Sequence, residues 1–293
     1  MASAAELAAM RQAIILSSFG LGTTSPNPPV GCVILDRDGN TVGTGYHHRK
    51  GQPHAEVNAL AAAGTAARGG TAVVTLEPCN HIGVTPACRQ ELINAGITRV
   101  VISVIDPTSR GDGGAAVLTA HGIDVETHVI PDETLTVLRP WLTATHRRRP
   151  YLTWAYTLDP DHREIEEELL AELRATADLV LHTDTIKEGI PGGHAPQHFT
   201  LPAAPTNDLR QWLVTCYESG SRRILAVGAH QALVHKLEHV DELVIAIERT
   251  PQTGVFGPAI RHPTPAGFEL TGIFRHRTGA RIHLRRAKLT PEP

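Results

Sequence analysis

Cysteine is scarce in this chain: 293 residues hold four, Cys32, Cys79, Cys88 and Cys216. So few thiols make no disulfide framework, and a reducing cytoplasm is the expected setting. A basic excess is also missing. Lys and Arg total 27 against 30 Asp and Glu, for a formal net charge of −3, which gives no electrostatic reason to bind nucleic acid. The longest basic run, Arg147-Arg148-Arg149 after His146, reads as a solvated stretch before a new strand. No apolar run reaches membrane-spanning length, and the N-terminus lacks the basic start and long apolar core of a signal peptide. Neither a membrane nor a nucleic acid is expected as a partner. There is no internal repeat. What remains is a globular composition, 41% hydrophobic and 19% charged, long enough for two domains.

The first half alternates helix and strand. Helices are predicted over 4–18, 54–63, from the Pro78-Cys79 turn through Ala95, and over 114–121. Strands are predicted over 31–35, 41–46, 71–76, 99–105 and 124–128, with Asp38-Gly39-Asn40 as a hairpin turn. Such alternation means a layered α/β domain. Beyond Pro150, strands are predicted over 151–156, 179–182, 223–227, 241–247 and 280–284. Helices are predicted over 164–176, 207–217 and 231–237, and the Gly- and Pro-rich 183–206 reads as a long loop.

One constellation carries chemistry: His54-Ala55-Glu56, then Pro78-Cys79, then Cys88. One His and two Cys are a zinc ligand set that leaves the fourth position to water, and a Glu two residues after the His can move protons without binding the metal. A purely structural zinc takes four protein ligands, so the pattern points to catalysis. Cys79 at the start of a helix would be favoured as a thiolate by the helix N-terminus. Cys32, in an apolar run, reads as a core residue, and Cys216 ends a helix without an obvious partner. His48, His182, His194 and His198 read as surface histidines, and His194 and His198 lie in a loop, not on one helical face.

The stretches Pro26-Asn27-Pro28-Pro29-Val30-Gly31-Cys32, Gly45-Tyr46-His47, Gly51-Gln52-Pro53-His54-Ala55-Glu56-Val57, Thr75-Leu76-Glu77-Pro78-Cys79 and Asp106-Pro107 resemble the bifunctional deaminase–reductase family of riboflavin biosynthesis. The eight-residue spacing between Cys79 and Cys88 is that family's variant of the deaminase signature. The resemblance is strong over the first half and weak over the second. It implies a cytidine-deaminase-like three-layer α/β/α domain at 1–147 and a reductase-like α/β domain, akin to dihydrofolate reductase, at 148–293. It also implies Zn²⁺ on His54, Cys79 and Cys88, Glu56 as the proton carrier, and a homodimer. Asn27, His47, Ala55, His81, Val84 and Thr85 would line the pocket of a small aminopyrimidine-like substrate.

Two departures shape the expected function. Val84 stands where the family places Arg or Lys in the loop between the cysteines, and valine cannot hydrogen-bond a phosphate. In the second half, Thr153 to Pro160, Leu181 to Thr185 and Val227-Gly228-Ala229 stand in place of the family's Lys-bearing strand and Gly-rich turns, and side chains there would obstruct a cofactor phosphate. The leading expectation is a zinc-dependent hydrolytic deaminase of a compound related to the riboflavin precursor, in specialised metabolism, with an inactive reductase-like domain. The alternatives are the full bifunctional riboflavin enzyme, a nucleic-acid deaminase and a metal-bearing assembly protein without catalysis.

Overall fold

The computed structural model describes residues 1–80, 87–157, 165–182, 185–204, 208–228, 233, 236–248, 265–275 and 279–287. These form two compact units. One is Met1–Leu142 with His194–His198; the other is Thr143–Gly193 with Phe199–Pro293.

In the first unit the elements run α1 (Ala4–Ser18), β1 (Gly31–Leu35), β2 (Thr41–Tyr46), α2 (Ala55–Ala63), β3 (Thr71–Leu76), α3 (Cys88–Ala95), β4 (Arg99–Val104), α4 (Gly113–Ala120) and β5 (Asp124–Glu126); α5 (Pro131–Arg147) leads out of it. Helix α1 opens on a capping box. The Ser3 side chain accepts from the Glu6 backbone N–H at 3.2 Å, and the Glu6 carboxylate accepts from the Ser3 N–H at 2.7 Å. The sheet order is β2-β1-β3-β4-β5, with β1 antiparallel to both neighbours and β3, β4 and β5 parallel. Side chains alternate across it. Val33, Leu35, Val73 and Val101 meet Ala9, Met10, Ala13 and Ile14 of α1, while Cys32, Ile34, Ala72, Val74, Val100 and Ile102 meet α2, α3 and α4. The result is the expected three-layer α/β/α arrangement.

Glycine decides how closely α2 lies on the sheet. A Cβ at Gly45 would sit 2.5 Å from the Ala59 nitrogen and 2.6 Å from the Ala55 oxygen; one at Gly43 would sit 2.3 Å from the Ala59 oxygen. The glycines of β2 let backbone meet backbone, which sets the height of α2 and of the His54-Ala55-Glu56 segment at its start.

Several expectations need correction. Helix α3 starts at Cys88, not at Cys79. Its N-cap, Ala87, is extended (φ −61°, ψ 140°), and Pro86, which lacks a backbone N–H, disfavours a helix running back to Cys79. Cys79 therefore lies in the segment leaving β3. Helix α5 and the strand over 268–275 have no counterpart in the sequence reading. The basic run is not simply solvated: Arg147 closes α5, and its Nη1 meets Asp241 Oδ1 at 2.6 Å, while Arg149 meets both oxygens of Asp241 at 2.7 and 3.0 Å. Asp241 is 3% exposed; a buried carboxylate needs such partners.

The second unit contains β6 (Tyr151–Thr157), α6 (Glu167–Arg174), β7 (Leu179–His182), β8 (Thr185–Glu188), α7 (Leu209–Glu218), β9 (Arg223–Val227), β10 (Glu242–Glu248), β11 (Phe268–Arg275) and β12 (Gly279–Arg286). Its sheet order is β11-β12-β10-β6-β9-β7-β8, with β10, β6, β9 and β7 mutually parallel and antiparallel partners at both ends. Strand β8 interrupts the expected 183–206 loop. The predicted 231–237 helix falls largely outside the described residues. Cys32 and Cys216 are core residues, both fully buried. No helix among the described residues is long and apolar enough to cross a membrane.

Candidate active site

The site forms where the ends of α2, β3 and α3 converge. His54 is the N-cap of α2 and Glu56 lies in its first turn. Asn58, one turn on, holds the approach to the helix: its Nδ2 donates to the Tyr46 carbonyl at 2.8 Å and lies 3.4 Å from that of Pro53. Strand β3, buried from Ala72 onward, delivers Glu77, Pro78 and Cys79. Glu77 is buried, and its carboxylate accepts from the backbone N–H groups of Asp106 (3.2 Å) and Ala115 (2.9 Å). It ties the end of β3 to the turn after β4 and to the start of α4. A Cβ at Gly114 would lie 1.9 Å from the Pro78 oxygen, so that contact requires glycine.

Cys88, the first residue of α3, faces Cys79. The Cys88 backbone N–H donates to Cys79 Sγ at 3.2 Å. The helix N-terminus thus does favour a Cys79 thiolate, but from across the site and not from the helix that Cys79 begins. His54 Nδ1 lies 3.2 Å from Cys88 Sγ. The ligand atoms of His54, Cys79 and Cys88 all lie within 4.8 Å of one another. A tetrahedral zinc with bonds of about 2.0–2.3 Å spaces its donors roughly 3.5–3.8 Å apart, so this donor set fits the ion with small adjustments. Hydrogen bonding from Cys88 and His54 pushes the Cys79 thiol down to about 4, and the same bond pushes Cys88 well up. Hydrogen bonding to Cys79 raises His54. The lowered Cys79 thiol favours a thiolate, a donor suited to a divalent metal.

Glu56 is 3% exposed. Burial raises its carboxyl pKa, partly offset by the nearby His54 charge. A carboxyl whose pKa moves toward neutrality can both accept and return a proton.

A polar row leads away from His54. The His47 ring meets the His54 ring edge-on, centroids 5.0 Å apart. His47 is buried, which lowers its pKa to about 4, so it is neutral at pH 7. Its Nδ1 lies 3.1 Å from the Pro53 carbonyl, which can only accept. The proton therefore sits on Nδ1, and Nε2 accepts from Asn27 Nδ2 at 3.2 Å. Asn27 Oδ1 in turn accepts from Lys50 Nζ at 2.9 Å.

Of the residues that the sequence placed in the pocket, Asn27, His47 and Ala55 gather beside the His54 trio. His81, Val84 and Thr85 lie outside the described residues. Sequence reasoning missed Lys50, although it stands between two of the motifs that carry the resemblance, Gly45-Tyr46-His47 and Gly51-Gln52-Pro53-His54. It also missed Glu77 and Asn58 as supports, which no local signal marks. His194 is no surface residue: it is 3% exposed, and its carbonyl accepts from the Arg49 guanidinium.

Comparison with known proteins sets this geometry in a family. The cytidine and deoxycytidylate deaminase zinc-binding region matches residues 4–104. The diaminohydroxyphosphoribosylamino-pyrimidine deaminase of Buchnera aphidicola is 53% identical over 126 residues, 43% of this chain and 85% of that protein. The riboflavin biosynthesis protein RibD of Escherichia coli is 47% identical over 144 residues, 49% of this chain and 39% of that protein. The chain thus spans most of the Buchnera protein but only about two-fifths of RibD proteins such as this one. Among solved structures, the deaminase/reductase of Thermotoga maritima matches with a TM-score of 0.78 and 21% identity, covering 97% of this chain and 99% of that one. RibD of Acinetobacter baumannii matches with a TM-score of 0.78 and 24% identity over the same shares. These two likenesses establish the fold of both units. The Buchnera relative, matched over most of its length at half identity, establishes kinship: this chain belongs to the RibD family of diaminohydroxyphosphoribosylaminopyrimidine deaminases and is a zinc-type hydrolytic deaminase acting on a carbon–nitrogen bond.

Proposed function

We propose that the protein removes an exocyclic amine from a diaminopyrimidinone that carries a ribosylamino 5′-phosphate, a step of riboflavin biosynthesis. One observation carries this reading: the His54–Cys79–Cys88 trio with buried Glu56 beside it, in a chain of which 126 residues are 53% identical to a deaminase named for that substrate. The expectation of a specialised-metabolism substrate is less well supported, because the curated relatives are proteins of riboflavin biosynthesis.

His54, Cys79 and Cys88 would hold the zinc. Zinc in such a site makes hydroxide available near neutral pH by lowering the pKa of water. Glu56 takes the proton released by the water and passes it to a ring nitrogen, which prepares the amine-bearing carbon for attack. It then takes the proton of the newly added hydroxyl and delivers it to the departing amine, leaving a ring carbonyl. One C–O bond forms, one C–N bond breaks, and ammonia leaves. Asn27 and His47, fixed in one tautomer and one amide orientation by the Pro53 carbonyl and Lys50, orient the substrate. Ala55, His81, Val84 and Thr85 complete the pocket. The deaminase part is assigned to 1–147 and the reductase-like part to 148–293, and the protein acts as a homodimer, checked by light scattering.

The test is ammonia release from the phosphorylated diaminopyrimidinone beside cytidine and deoxycytidine monophosphate. Turnover of the first and not the others supports the reading; turnover of a cytosine compound alone refutes it. A second reading, the bifunctional deaminase–reductase, is supported by the fold match over 97% of the chain. It is favoured over an inactive second domain, and saturable NADPH binding in calorimetry decides between them.

A further inference from the structure

We propose that Lys50 is the residue that recognises the substrate phosphate, in place of the basic side chain that Val84 cannot supply. The inference rests on the deaminase reading above and adds to it a specificity residue.

Lys50 lies in the turn between β2 and α2, which is closed by the Gln52 N–H donating to the Arg49 carbonyl at 3.0 Å. Its ammonium is part-buried and uses one donor on Asn27 Oδ1, 2.9 Å away. An ammonium has three donors and no acceptor. Among the described residues no carboxylate pairs with Lys50. Its neighbours in the row are a neutral amide and a neutral imidazole, so nothing described there balances its charge.

Nearby cations are engaged elsewhere or turned outward. The Arg49 guanidinium donates to the His194 carbonyl, and Arg89 Nε donates to Asn80 Oδ1. Arg110 is exposed, and its backbone carbonyl is taken by Asn80 Nδ2 at 2.7 Å. Lys50 is the described cation that combines a place in the site row with unused donors.

The row runs outward from His54 through His47 and Asn27 to Lys50. A substrate with its reacting ring at the His54 end presents its far end toward Lys50. In the proposed substrate the ring and ribose are neutral and the phosphate is the anion. A flexible ammonium beside an amide suits a terminal phosphate, which lysine binds as a point charge.

The experiment compares KM and kcat for ammonia release from the phosphorylated precursor and its dephosphorylated form, using the native zinc protein, Lys50→Met and Lys50→Arg. Inhibition by inorganic phosphate is measured on all three, with zinc content and circular dichroism as controls for folding. A charge-assisted hydrogen bond is worth roughly 1.5–3 kcal/mol, so Lys50→Met is expected to raise KM for the phosphorylated compound about 10- to 100-fold. It should erase most of the native preference for that compound and weaken phosphate inhibition in step, and Lys50→Arg should restore much of both. A Lys50→Met protein that keeps the native preference overturns the assignment. So does an equal loss on both substrates, or a native protein that inorganic phosphate does not inhibit. Ammonia release from neither compound by the native protein refutes the function reading itself, and the assignment with it.

Discussion

Replacing Glu56 with Gln separates proton transfer from everything else the site does. The two side chains have the same shape, so the change opens no cavity in the buried first turn of α2, where Glu56 is 3% exposed. Zinc binding is expected to be untouched, because the group that could hold the ion, His54, Cys79 and Cys88, does not include Glu56. What disappears is a carboxylate able to take and return a proton. General acid–base catalysis contributes about 10²- to 10⁴-fold, or about 2.7–5.4 kcal/mol of barrier at 1.36 kcal/mol per decade. Stability moves the other way. Burial raises the Glu56 pKa, so the fold disfavours its charged form, and neutral Gln carries no such cost. The expected result is a kcat lower by at least 10²-fold, one zinc per chain as in the native protein, and a melting temperature that does not fall. Ammonia release, metal analysis and calorimetry read the three quantities. Native kcat with full zinc occupancy would refute the proton-carrier role; loss of zinc would show that Glu56 helps to hold the metal.

Cys88→Ala is expected to abolish zinc binding and turnover together, and a chelator should do the same to the native protein, reversed by added Zn²⁺, with metal analysis beside the ammonia assay. Arg99 clamps Glu6 (2.6 Å), Glu126 and Asp124 in the first unit. Burial of Glu6 opposes ionisation, but Arg99 and Ser3 outweigh it and hold its carboxyl low; the hydrogen bond from Arg99 does the same for Glu126. Folded values below the unfolded ones mean stabilisation that is full above the usual carboxylate range and lost as pH falls through the folded values. Arg99→Met should therefore cost roughly 1.5–3 kcal/mol at pH 7 and flatten the acid limb of the stability profile; an unchanged limb in denaturant titrations would contradict this. Gly45→Ala should push α2 off β2, costing about 1–3 kcal/mol by overpacking and lowering kcat through the displaced His54-Ala55-Glu56 segment; native kcat with native stability would rule out that close approach.

The metal trio and the three-layer domain were legible because each is written locally. The His54-Ala55-Glu56 and Pro78-Cys79 segments carry their chemistry in adjacent residues, β1, β3 and β4 are marked by apolar runs, and β2 by the hairpin turn before it. The start of α3 was misplaced because Pro78-Cys79 looks like a helix entry, whereas Ala87 provides it. Helix α5 hid behind Pro140 inside it, and β11 behind an exposed pattern in which Leu270, Ile273 and Phe274 all face outward. The roles of Arg147 and Arg149 depend on Asp241, some ninety residues away, and that of Glu77 on Asp106 and Ala115. Pairings at such separation leave no trace in spacing or period. Lys50 was the nearer miss, since its neighbours on both sides were recognised and its partner Asn27 already belonged to the pocket.

The way Glu77 and Cys88 are held has a consequence for metal exchange. Glu77 fastens the strand that carries Cys79 through two backbone N–H groups, and the Cys88 N–H reaches Cys79 from the first turn of α3. All three are made between groups of the fold itself. The cage is therefore built by the sheet and its helices, unlike small zinc domains whose folding waits for the metal. An ion binding there meets Cys79 and Cys88 already tied to the sheet and to the first turn of α3. Such a centre can trade its zinc for another tetrahedral divalent ion, such as cobalt, without passing through an unfolded chain, and its colour would then report the ligand set directly.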